Sequence, residues 1–217
     1  RSARSGPEAL GFGGEERARE ERPEQAVRAS ERLTGTDQEL ELHFIGELEL
    51  GLRFPSIAFN EGLFVEYEVR AGSEWLPIAR KEGYVGQTQT AYADPEGSHV
   101  FNHPLDFHFI SASLEGWPRL HVQVFKLDWA GCVEVISYGT LSLPTLPGHS
   151  ELTCRTWMPQ GGSVLGDQGW SLASRAEVLD GWRPEERAQM LTKGSGILSV
   201  HLDTIMRNGE AHGILPQ

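Results

Sequence analysis

Four histidines, His99, His103, His108 and His121, lie close together in the sequence and raise the first chemical question. An imidazole is the commonest metal ligand and a usual general base near neutral pH. His108 in "PLDFHFI" and His121 in "RLHVQVFKL" each fall on the polar side of an alternating run. A cross-strand His108/His121 pair would place two rings about 5 Å apart. Asp106 alternates onto the same side as His108 and would be the third ligand a metal needs. Histidines on the solvated side of strands require no such role. The expectation is therefore solvent-facing histidines with no metal site.

Other chemistry is thinner still. The loop acids Asp94, Glu96, Glu115 and Asp128 are single carboxylates in separate loops, with no Asp-x-Asp pair, whereas calcium needs several converging oxygens. No GxSxG, HExxH, P-loop or GxGxxG motif occurs. Cys132 and Cys154 form neither a CxxC nor a zinc spacing. Two cysteines in a chain of this length fit a reducing compartment and are expected to be buried free thiols. The residues thus point away from catalysis and imply no cofactor.

Charge narrows the partners. The chain carries a net charge of −12, and residues 1–38 are nearly neutral, with seven Arg against eight Asp or Glu. The remaining 12 basic and 23 acidic residues make the rest of the chain acidic. Such a body is repelled by nucleic acid and anionic headgroups. Beyond Arg32 the sole adjacent basic pair is Arg80–Lys81. No run of 18 apolar residues could span a bilayer, and no signal-peptide h-region is visible. A start at Arg1 rather than Met suggests a fragment or a processed chain.

The elements that must position any site are strands. Residues 1–38 are rich in Arg, Glu, Gly and Ala and are read as a disordered or solvated charged segment. At Glu39 the pattern changes. Leu40, Leu42, Phe44, Leu48 and Leu50 alternate with Glu41, His43, Glu47 and Glu49, a strand with one buried face. Gly46 inside it suggests a bulge or a close approach. "LFVEYEVR", "GQTQTAYA", "PLDFHFI", "RLHVQVFKL", "CVEVISYGTLSLP", "SELTCRTW" and "GILSVHLDTIM" continue the series. Asp94-Pro95-Glu96-Gly97 and Pro147-Gly148 are turns between them. The reading is an all-β, antiparallel, eight-stranded β-sandwich over 39–208, with a tail over 209–217. Gly161 to Thr192 is expected as a helical insertion before the last strand, with Pro184 at a helix start.

Two places look structurally special. In "LEGWPRLHVQV", Gly116 permits a positive-φ turn and Pro118 fits the first position of a strand. Trp117 is thereby held extended at a sheet corner, where its ring either caps the core or remains exposed as an anchor for another protein. Tyr138-Gly139 reads as a break in its strand, where an added Cβ would clash.

Together these stretches resemble a known family. "NHPLDFHFISASLEGWPRLHVQVF" and "YGTLSLPTLPGHSELTCRTWMP" are similar to the B9 domain of ciliary transition-zone proteins. "HFIGELELGLRF", "LFVEYEV" with Trp75, and "EGYVGQTQTA" match in order. The similarity covers Leu42 to Pro159, with a weaker match at Gly196 to Met206. Within the family the segments resemble both the second small B9-domain protein and the larger Meckel-syndrome member. The resemblance implies a C2-like sandwich without catalytic activity. It also implies work in the Meckel/tectonic complex beside other B9-domain proteins, with possible peripheral membrane contact. Candidate structural or partner-contact residues are Trp75, Gly116, Trp117, Pro118, Tyr138, Gly139, Pro147, Gly148 and Trp157.

Overall fold

The computed structural model describes residues 39–55, 57–58, 60–78, 84–159 and 192–215. The charged segment 1–38 and residues 161–191 of the expected helical insertion lie outside the described residues, and Thr192, expected at its end, begins a strand. Among the described residues are ten strands: β1 (Leu40–Leu52), β2 (Gly62–Arg70), β3 (Trp75–Pro77), β4 (Val85–Gln87), β5 (Ala91–Tyr92), β6 (His99–Ser111), β7 (Arg119–Leu127), β8 (Val133–Ser142), β9 (Gly148–Pro159) and β10 (Thr192–Arg207). A 3-10 helix, Gly209–His212, follows in the segment expected as a tail.

The strands form one antiparallel sheet in the order β3-β6-β1-β10-β9-β8-β7-β2-β4, with β5 paired to β2. The sheet curls until its ends face each other. Tyr67 on β2 meets Phe107 on β6 with ring centroids 6.2 Å apart, although those strands are far apart in the order. Gln89 Nε2 donates to the Phe101 carbonyl at 2.9 Å, tying the two edges again. The enclosed core holds Phe44, Phe101, Phe107, Leu120, Leu198 and Leu202, all fully buried.

Period-two alternation explains most of this burial. Leu40, Leu42, Phe44 and Leu48 point inward as expected. Leu50 does not. The register shifts between Leu48 and Leu50, so the extra residue Glu49 reverses the alternation and Gly51 takes the inner side. Gly46 marks a close approach rather than the bulge: a Cβ there would lie 1.9 Å from the His201 carbonyl oxygen.

The strand count also departs from the expected eight. Trp75–Pro77 pairs with β6 as a short edge strand that three residues cannot announce by alternation. "GQTQTAYA" divides into β4 and β5 because Thr88 substitutes its hydroxyl for a backbone partner. Its Oγ1 accepts from Val65 N at 3.0 Å, while its own N–H donates to Val65 O at 2.9 Å. The expected break at Gly139 is absent: β8 runs straight through it.

Candidate interaction surfaces

At one end of the sheet, where β6 crosses to β7, the chain builds an aromatic corner. Gly116 adopts φ 71°, and a Cβ on it would sit 2.5 Å from Gly72 Cα. That contact needs glycine on both counts. Gly72 N donates to Gly116 O at 2.8 Å, and Trp75 N to Gly72 O at 3.0 Å, locking the two loops together. Trp75 is 4% exposed, and its Nε1 donates to the Glu115 carbonyl at 2.8 Å. Trp117 is half-buried against the core, with its ring edge-on to Trp75 at 5.1 Å. Its indole N–H donates to Leu143 O at 2.9 Å. Pro118 is buried just before β7, and its carbonyl accepts from Leu143 N at 3.1 Å. Both polar tips of the tryptophans are therefore satisfied inside the corner.

The other singled-out residues follow β8 and β9. Gly139 faces inward, where a Cβ would be 2.8 Å from both Val122 Cγ2 and Cys154 Sγ. The glycine is there for close packing beneath a continuous strand. Tyr138 is buried and tilts against half-buried Trp157 at 5.5 Å; among the described residues these two are the pair that registers β8 with β9. Pro147 and Gly148, the latter at φ 112°, turn β8 into β9. Pro147 also lines a pocket of about 420 Å³ with Met206, Gly209 and Ile214. Cys154 is buried, and burial pushes its thiol up to about 12. Cys132, expected to be buried, is exposed beside the β7–β8 turn.

The expected His108/His121 pair does not form. β6 pairs with β1 and β3, whereas β7 pairs with β2 and β8, so the two histidines sit on different parts of the sheet. His108 stacks instead on His43, its register partner on β1, at 4.5 Å. His43 bonds Asp106 at 2.6 Å and His108 bonds Glu41 at 2.9 Å. Farther along the same outer face, His149 meets Asp203 at 3.0 Å and His201 meets Glu49 at 3.3 Å. Asp106 is thus a partner of His43, not of a His108/His121 site. Among the described residues, no three His, Cys, Asp or Glu side chains converge to hold a metal.

The opposite end carries a residue that the sequence reading missed. Trp129, at the tip of the β7–β8 hairpin, is 81% exposed. Asp128 builds the turn beneath it. Its Oδ1 accepts from Ala130 N and Cys132 N, both at 2.8 Å, and its N–H donates to Cys132 O at 3.0 Å. Gly131 closes the turn at φ 84°. The signal was present in "DWAGC": an Asx turn with glycine three residues on must put the intervening tryptophan at the apex. Val133 and Tyr92 are also exposed at this end, and Gly62 registers with both Tyr92 and Leu127.

The family model described as "Ciliary basal body-associated, B9 protein" matches residues 42–205. The chain belongs to this B9 family. A Xenopus laevis protein named B9 domain-containing protein 2 is 30% identical over 80% of this chain and 97% of its own length. A Drosophila melanogaster protein named B9 domain-containing protein 1 is 25% identical over 64% of this chain and 61% of its own. Among solved structures, a C2 domain of plant Extended Synaptotagmin 1 aligns with a TM-score of 0.41 and 14% identity, covering 75% of this chain and 92% of that one. In this B9 chain the match runs from β1 almost to the end of β10, so the corner and the exposed tip both lie inside it. No helix among the described residues is long and apolar enough to cross a membrane.

Proposed function

We propose that this B9 chain is a non-enzymatic scaffold component of the ciliary transition-zone complex, the Meckel/tectonic assembly. It works at the cilium base, transition zone and basal body, where it is required for cilium assembly and for gating ciliary membrane composition. Its partners are other B9-domain proteins and members of that complex. The observation that carries this reading is the family match over residues 42–205. The rigid, exposed Trp129 tip supports it, because aromatic residues of this kind dominate binding at protein interfaces. Affinity capture of the tagged chain from ciliated cells tests it. Recovery of sister B9 proteins is the expected result; a strictly monomeric protein without ciliary partners would overturn it.

A second reading, a peripheral C2-like lipid-binding module, is favoured by the same apolar tip. The acidic net charge of −12 weighs against anionic lipid. Liposome co-sedimentation at low salt, where charge effects are strongest, decides it. No sedimentation there removes this reading.

A further inference from the structure

The β7–β8 hairpin is built to present Trp129, and its surroundings restrict what it can meet. Four features of the tip bear on the occupant. First, four hydrogen bonds to Asp128, two on its carboxylate and two on its backbone, and the positive φ of Gly131 hold the turn in one shape before any encounter. Pre-ordering lowers the entropy cost of binding, and an indole adds contact area with few rotatable bonds. Second, the ring is 81% exposed and Val133 beside it is 55% exposed, so the tip offers an apolar knob rather than a pocket. Third, the hairpin carries more acid than base: Lys126 is held between largely buried Glu61 at 3.6 Å and exposed Glu134 at 3.5 Å, and Asp128 adds the carboxylate of the turn. Fourth, the chain as a whole is acidic and has no basic cluster beyond residue 38.

Like charge disfavours both a second copy of this chain and an anionic bilayer. Complementarity calls for an apolar slot with a Lys/Arg rim on a different protein. We infer that the Trp129 hairpin tip, with the acidic excess of its own hairpin, is the anchor by which this chain docks into an apolar, basic-rimmed slot on a sister B9 domain. This rests on the scaffold reading, which names sister B9 domains as partners. The docking end is then opposite to the Trp75–Trp117 corner, which remains internal to the fold.

The test uses the purified full chain and the B9 domain-containing protein 1 encoded in the same genome, with affinity measured by calorimetry. Wild type binds, and Trp129→Ala weakens binding by ~30-fold or more, the size of an interface hot spot. Its melting temperature stays at the wild-type value. Glu134→Lys weakens binding and flattens its salt dependence. Trp129→Phe, which keeps a ring on the turn, retains part of the affinity and guards against a folding defect in the alanine variant. Equal binding by wild type and Trp129→Ala overturns the inference and leaves the scaffold reading standing. No binding by wild type, with Trp129-dependent sedimentation on phosphatidylcholine vesicles, overturns it in favour of lipid. No binding to either overturns it together with direct pairing to that sister protein.

Discussion

Trp117 and Trp129 bracket one strand, β7, and their environments are opposite. Trp117 precedes the strand, donates its indole N–H to Leu143 O and packs edge-on against Trp75. Trp129 follows the strand and leaves four-fifths of its surface to solvent. The residue type is the same; the turns differ. Gly116 folds the first tryptophan onto Gly72 and the core, whereas Asp128 and Gly131 close a hairpin so tightly that the second can only project. The comparison separates two uses of an aromatic side chain: one holds the fold together, and the other is available to a partner.

The contrast breaks first at the corner. Trp75→Ala removes a buried ring and leaves the Glu115 carbonyl without its indole donor, and the expected cost is about 3–5 kcal/mol of unfolding free energy. Trp117→Ala, at a half-buried site, costs a few kcal/mol by the same mechanism. Urea titration of each variant checks both. A Trp117→Ala protein with wild-type stability would move that residue to the surface class and dissolve the contrast.

Gly139→Val comes next. Its side chain would begin 2.8 Å from Val122 and Cys154, and overpacking of this kind costs roughly 1–3 kcal/mol. Thermal melts measure it. A larger loss than for Trp75→Ala would put the seam between β8 and β9, not the corner, at the centre of stability.

Acidification should weaken the fold. Burial holds His99 and His103 below the ordinary value of 6.5, with Asp94 opposing the shift at His99. The unfolded chain then binds more protons than the folded one as pH drops through 6.5 towards the lowered folded values. Stability conferred by these neutral rings is full above 6.5 and is lost below it. Melting temperatures measured from about pH 8 to about pH 5 should therefore decline most steeply below 6.5. A flat profile there would show the two rings accessible to protons in the native state.

Thiol labelling sharpens the contrast between core and tip. Cys132 beside the hairpin reacts at once with a maleimide, while Cys154, buried and with its thiol pushed up to about 12, reacts only on unfolding. The smallest effect belongs to the tip itself: Trp129→Ala changes stability by no more than about 0.5 kcal/mol, as for other surface changes.

How much of this was legible in the sequence depends on the range of the interaction. Leu40, Leu42 and Phe44 declared their face because alternation is local. Leu50 misled because a bulge at Glu49 reverses alternation without leaving any residue-type signal. The strand at Trp75–Pro77 was too short to show a period. His108 and His121 were assigned to neighbouring strands because their strands are consecutive in the chain; pairing is decided by the crossover between halves, which sequence spacing does not encode. Gly116 and Pro118 disclosed a turn, yet the reason for the glycine, Gly72 Cα 2.5 Å from where a Cβ would sit, lay in another loop. Trp129 was missed although its Asp and Gly frame is purely local, since residue type alone does not separate an exposed tryptophan from a core one.

The most direct measurement replaces the six tryptophans with 5-fluorotryptophan and follows the fluorine resonances as the sister B9 domain is titrated in. Substitution variants assign the lines. The account predicts that the Trp129 line shifts and broadens on binding while those of Trp75 and Trp117 stay in place. A shifted Trp117 line beside an unmoved Trp129 line would contradict it, since the corner would then be the docking surface and the tip a bystander.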